Sequence, residues 1–311
     1  MTPFDRLLAL AGRIRFRLPE SRGGRVALAL AFIYFVWGST YLALHIALEA
    51  FPPLLLSGMR NGIAGIGLFV FAMRRKPAMP SLIEVRNAAI VGTMLVAASS
   101  GLIALGMRTV SSGSAAVMVA TVPLFATVIA AIAGRAVARG EWVAVGLGMV
   151  GIVILNSGGP STPGSTLGSI SVLCGGLFWA GGVHLSSRLK LPSDLFLSTA
   201  LQIGLGGLAS STAAFFLGER SVHFAALPTL AFLYLMIFGT MIAYVAYGYL
   251  IRNTSPVLAS SCMYVNPIVA VALGALLLGE PVTTATVIAT LAILGSVGLS
   301  FVCDPARKPA R

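Results

Sequence analysis

The chain has little charge. Of 311 residues, Asp and Glu supply 9 and Lys and Arg 21, so charged residues make up only 10%. Soluble domains carry about 25%. A water-facing surface cannot be assembled from so few, which excludes an ordinary soluble fold and makes lipid the solvent for most of the outside. Sulfur and imidazole are also scarce, with three Cys and three His. Cys174, Cys262 and Cys303 share no short spacing, which excludes a zinc motif and a disulfide framework and leaves them as packing residues. No Gly-rich Walker sequence occurs, so this chain does not hydrolyse ATP. Neither a metal nor a cofactor is expected. No segment alternates as a strand does, and the class is all-α.

What is present is apolar sequence: 57% hydrophobic residues and a mean hydropathy of +0.95. The net charge of +12 invites a nucleic-acid reading. That reading fails, because the basic residues stand in short clusters between apolar runs, the pattern of loops on a membrane protein. The stretch Phe4–Leu18 carries Arg6, Arg13, Arg15 and Arg17 among apolar residues. It reads either as an amphipathic segment on an anionic leaflet or as a frayed basic tail.

An apolar run of about 20 residues spans the hydrocarbon core as a helix. The sequence predicts ten spans, near 26–48, 54–73, 87–107, 114–133, 142–157, 167–187, 195–217, 228–251, 258–278 and 284–302. Pro52-Pro53, Pro77, Gly158-Gly159-Pro160, Pro192 and Pro281 punctuate the junctions. With the N-terminus inside, 18 Lys and Arg fall in cytoplasmic segments, and only Arg108 and Arg220 fall outside. The positive-inside rule thus places both termini in the cytoplasm.

A shift of 144 residues lays Arg108–Leu155 over Arg252–Leu299 without a gap, matching Arg108 with Arg252, Pro123 with Pro267 and Gly151 with Gly295. Trp37 pairs with Trp179 at a shift of 142. The chain therefore divides into a basic cytoplasmic segment (1–25), a first five-helix repeat (26–157), a second (167–302) and a cytoplasmic tail (303–311). Five spans is an odd number, so the second repeat crosses in the opposite sense. Inverted repeats of this kind suit alternating access around a central site. Pro123 and Pro267 fall mid-span in the fourth and ninth helices, as matched hinges or cavity features, or as ordinary packing prolines.

Trp37-Gly38-Ser39-Thr40-Tyr41, Pro53 leading to Arg60, Pro123, Asn266-Pro267 and Gly279-Glu280-Pro281 resemble the EamA-type transporters of the drug/metabolite transporter superfamily. The resemblance runs over nearly the whole chain after the first 25 residues. Within that family the chain looks like the bacterial inner-membrane amino-acid exporters. The resemblance implies export of amino acids, aromatic ones included, and of related metabolites. It also implies a cavity between the two halves, with the fifth and tenth spans at the periphery.

Several residues are candidates to line that path. Tyr34, Trp37, Tyr41 and either Leu44 or His45 share one face of the first span; Trp37 and Tyr41 lie too deep for an interfacial belt. Trp179 is the repeat partner of Trp37. Tyr244 and Tyr247 correspond to Ser100 and Ile103. Ser99 and Ser100 serve either the path or helix contacts. Tyr264 and Asn266 flank Pro267, where a buried amide needs a partner, either a solute or a helix backbone. Met118 supplies soft apolar surface. Arg60 is the one Lys or Arg within a span. Carboxylate recognition, a helix-end cap and a snorkelled anchor are its three readings. His184, near an inner helix end, reads as structural.

No span holds Asp or Glu at depth, whereas proton-driven carriers relay protons through buried carboxylates. Facilitated diffusion follows, with proton-coupled export of drugs or metabolites as the alternative. A membrane-embedded transferase is a second alternative, for which no buried His/Asp/Glu constellation is visible. The expected partners are small-molecule amino acids and the bilayer. The spacings Gly58-x-x-x-Gly62 and Ala144-x-x-x-Gly148 permit close helix contacts, within one chain or between two.

Overall fold

The computed structural model describes residues 21–157, 166–254 and 261–303. The basic N-terminal stretch and the C-terminal tail from 304 lie outside the described residues. Among the described residues all regular structure is helical. In chain order the helices are α1 (Arg22–Ala47), α2 (Pro53–Arg74), α3 (Leu82–Gly106), α4 (Ser112–Ile132), α5 (Arg139–Ser157), α6 (Thr166–Ser186) and α7 (Leu195–Phe216). They continue with α8 (the consecutive pieces Ala226–Tyr234, Leu235–Ile242 and Ala243–Asn253), α9 (Cys262–Leu278) and α10 (Thr284–Cys303).

Six of these helices are long and apolar enough to cross a membrane: α1, α2, α3, α4, α6 and α8 over Ala226–Leu250. Large apolar side chains such as Ile132 (82% exposed), Phe216 (79%) and Leu276 (79%) point outward. That arrangement is stable only where the surroundings are themselves apolar.

Capping residues fix the helix starts. Ser21 accepts from Gly24 N at the start of α1, and Asp194 accepts from Leu197 N at the start of α7. A capping box at Ser81 and Glu84 begins α3 at Leu82, five residues before the apolar run suggests. The two side chains satisfy amides that would otherwise be orphaned.

Three helices depart from the expected continuity, in two ways. α4 is broken into Ser112–Val119 and Val122–Ile132, with Ala120 and Thr121 between. Pro123 sits in the first turn of the second piece; it is not mid-helix, and at that position its missing N–H costs nothing. Pro267, by contrast, lies inside the unbroken α9. The matched prolines therefore act on the backbone in different ways.

The second departure is a matched pair. Thr93–Ser100 within α3 and Leu235–Ile242 within α8 are π-helical. Each runs eight residues, and their offset equals the spacing of Trp37 and Trp179. Such segments are rare and collect at functional sites.

Packing follows small residues. Between lipid-solvated helices there is no hydrophobic driving force, so close van der Waals contact must hold them together. α2 lies against α7 so tightly that a Cβ on Gly65 would stand 2.5 Å from Gly204 Cα. Gly58 faces Ser211, and Gly207 faces Gly62, on the same seam. α5 lies against α10, where Gly148 faces Ser296. Both small-residue spacings therefore make contacts inside this chain. α1 packs on α8 and α9, and α6 on α3 and α4; α3 meets α7 and α8 meets α2.

Candidate functional site

Seven helices converge on a central cavity of about 120 Å³. Its floor is aromatic. The Trp37 ring stands 6.1 Å from Trp179, 6.2 Å from Tyr244 and 4.9 Å from Tyr247, mostly edge to face. Trp179 and Tyr244 close the set at 6.0 Å. Trp37 Nε1 donates to the carbonyl of Gly239 at 3.2 Å, and Thr40 Oγ1 donates to the carbonyl of Trp37 at 2.6 Å. The indole is thus tied to the π-helical stretch of α8, while the Thr40 bond stays within the backbone turn of α1.

Another part of the lining is polar. Arg60 reaches from α2 to the π-helical stretch of α3, where its Nη2 donates to Ser100 Oγ at 2.6 Å. Arg60 Nε and Ser99 Oγ are buried and have no hydrogen-bond partner among the described residues. Among the described residues Arg60 is the one charged side chain on the cavity. Tyr41, Thr240 and Asn266 line the same cavity.

Of the residues singled out in the sequence, Trp37, Tyr41, Arg60, Ser99, Ser100, Trp179, Tyr244 and Asn266 all line this cavity. Met118 does not: it is 2% exposed within the apolar core, and its neighbour Val119 faces the cavity instead. Tyr264 lies on α9 with its side chain outside the described part of the structure. With its amide turned to satisfy both neighbours, Asn266 donates to the carbonyls of Cys262 (3.1 Å) and Tyr34 (3.3 Å), tying α9 to α1. Sequence reasoning missed Gly239 and Thr240, which the π-helical stretch of α8 brings to the wall.

A second cavity of about 350 Å³ adjoins the first, with Trp179 and Met263 lining both. Pro123, Thr127, His184, Tyr247 and Ser300 surround it, together with the pair Arg135 and Glu141. Arg135 Nη2 meets Glu141 Oε1 at 2.6 Å, and Glu141 is 1% exposed. The aromatic set therefore stands as a partition between two compartments.

Two carboxylates sit where helix dipoles favour them. Glu280 accepts from the Ser112 and Gly113 amides at the start of α4, at 2.8 and 3.1 Å. Glu219 accepts from the Leu54 and Leu55 amides at the start of α2, at 2.8 and 3.0 Å. The sequence places both only at helix ends or in loops.

A bundle of long apolar helices around an aromatic-lined cavity defines a multi-pass membrane protein. The chain belongs to the EamA-like transporter family, whose model matches residues 25–157 and again 166–302. It is a membrane transporter of the inner membrane. Its relatives include the uncharacterized inner membrane transporter YedA of Escherichia coli (strain K12), 42% identical over 81% of this chain and 82% of that protein. The uncharacterized transporter YvbV of Bacillus subtilis (strain 168) is 23% identical over 94% of this chain and 96% of its own length. A crystal structure with 16% identity superposes with a TM-score of 0.64 over 93% of this chain and 100% of the other, which shows the fold.

Proposed function

We propose that this transporter exports amino acids, neutral and aromatic, and related small metabolites by alternating access, as facilitated diffusion. The observation that carries the reading is the pairing on one cavity of a lone guanidinium, Arg60, with an aromatic wall of Trp37, Trp179 and Tyr244. A carboxylate matches the planar fork of Arg, and the rings take an apolar side chain.

In this reading ten spans form two five-helix halves of opposite orientation, with both termini in the cytoplasm. The pairing of helices supports it: exchanging each helix for the one five places on turns the contact of α1 with α8 and α9 into that of α6 with α3 and α4. The matched π-helical stretches support it in the same way. The compartment beside Arg135 and His184 then opens toward the cytoplasm, and the helix starts held by Glu219 and Glu280 lie on the far side. Substrate enters from the larger compartment, passes the aromatic partition and rests against Arg60. The break in α4 at Ala120–Thr121 and the proline within α9 give the halves places to bend.

Purified protein in liposomes, loaded with labelled phenylalanine, methionine or threonine, tests the proposal by exchange. Transport by any of these, without an imposed proton gradient, agrees with it. If nothing in a full amino-acid panel moves, the substrate reading is wrong. If a proton gradient alone drives accumulation, facilitated diffusion is wrong.

A further inference from the structure

Resting on that reading, the charge pattern of the cavity carries the substrate class further. The chain has nine Asp and Glu, and six of them lie among the described residues. Glu84 closes the capping box on α3. Glu141 pairs with Arg135. Asp194, Glu219 and Glu280 each hold a helix start. Glu49 is exposed just beyond α1. None of the six lines the central cavity.

An amino acid bound there would meet opposite treatment at its two ends. Its carboxylate finds Arg60, whose Nε is buried and without a partner among the described residues, as is Ser99 Oγ on the same cavity. Its ammonium finds no counter-charge. Among the described residues it meets ring faces, apolar side chains and the neutral acceptor oxygens of hydroxyls and of the Asn266 amide, and it lies near a fixed positive charge in a low-dielectric site. Ring faces attract cations, but more weakly than a carboxylate partner does. A solute that keeps the carboxylate and lacks the ammonium leaves no charge uncompensated: the guanidinium and the carboxylate neutralise each other, and the remainder of the solute packs on the rings.

We infer that the central cavity selects for a carboxylate and does not require the α-ammonium, so that the 2-oxo acids corresponding to neutral amino acids are carried at least as well as the amino acids themselves. The corresponding amines are excluded, because they offer Arg60 only a second positive charge.

The test uses the full chain in liposomes and three labelled solutes with one carbon skeleton: leucine, 4-methyl-2-oxopentanoate and isopentylamine. Counterflow is measured for each, with the leak into protein-free vesicles subtracted. The expected result is a rate for the oxo acid equal to or above that for leucine, with the amine slower by roughly tenfold or more, the factor expected for losing a hydrogen-bonded charge pair. Leucine moving while the oxo acid does not, or the amine matching the oxo acid, overturns the inference and leaves the amino-acid reading standing. If none of the three moves and the wider amino-acid panel also fails, the functional reading itself falls, and this inference with it. Arg60→Lys should keep the preference for the oxo acid over the amine, whereas Arg60→Gln should lose it. The wild-type comparison stands by itself if Arg60→Gln does not fold.

Discussion

Arg60 and Ser100 join two helices across the central cavity, the guanidinium donating to the hydroxyl at 2.6 Å. Ser100 ends the π-helical stretch of α3, so this bond ties the one charge on the cavity to an irregular turn of backbone. Ser100→Ala leaves Nη2 without that partner and the guanidinium free to swing. The expected result is a rise in the KM for a carboxylate solute of roughly threefold to tenfold, about the worth of one net hydrogen bond. The melting temperature should change little. Counterflow over a range of concentrations, beside a thermal denaturation curve, checks both.

Trp37 holds the aromatic partition through three ring contacts and one hydrogen bond to Gly239. Trp37→Phe keeps most of the packing and loses the bond, a cost of about 1 kcal/mol. Trp37→Ala removes the ring as well and should cost about 3–5 kcal/mol. It should also merge the two compartments and weaken selection among side chains. Denaturation in detergent separates the two variants, and transport of a bulky against a small amino acid reads the selectivity.

The seam between α2 and α7 tolerates no added side chain at one position and tolerates it freely at another. A Cβ at Gly65 would stand 2.5 Å from Gly204 Cα and 2.6 Å from its amide nitrogen, whereas a Cβ at Gly62 meets nothing within 4 Å. Gly65→Ala should destabilise by about 1–3 kcal/mol or more, because backbone and not a flexible side chain must move. Gly62→Ala should be neutral or slightly stabilising, since Ala favours the helix. Paired melting curves decide it.

Much of this site is legible in the sequence. Arg60 stands out as the single basic residue within an apolar run, a chemical signal that needs no coordinates. Trp37 and Trp179 are flagged by their repeat spacing, and their rings meet at 6.1 Å. Other parts are hidden for physical reasons. Helical periodicity fails across the break at Ala120–Thr121. That is why Met118 reads as a path residue while the structure turns Val119 to the cavity and leaves Met118 in the core. The π-helical stretches have no compositional mark, since Thr93–Ser100 and Leu235–Ile242 are ordinary apolar sequence. The extra residue in their turns shifts the phase of everything that follows, which is how Gly239 and Thr240 escaped notice. Glu280 looks like a loop carboxylate because the amides it serves lie 168 and 167 positions away.

Those two amides give Glu280 a role that a neutral side chain fills less well. Glu280→Gln keeps one acceptor oxygen and loses the negative charge at the start of α4. It should lower stability by about 1–3 kcal/mol. Glu49→Gln, at an exposed position without such partners, should lower it by under about 0.5 kcal/mol. Thermal denaturation of the two variants in the same detergent checks the contrast.

The most direct measurement of the central claim is exchange of labelled phenylalanine in liposomes carrying the wild-type chain or Arg60→Gln, with both proteins shown to melt at similar temperatures. The lone guanidinium on an aromatic cavity predicts robust exchange by the wild type and a loss of roughly tenfold or more in the variant. Equal exchange by the two proteins would contradict it, because the carboxylate would then be recognised somewhere other than at Arg60.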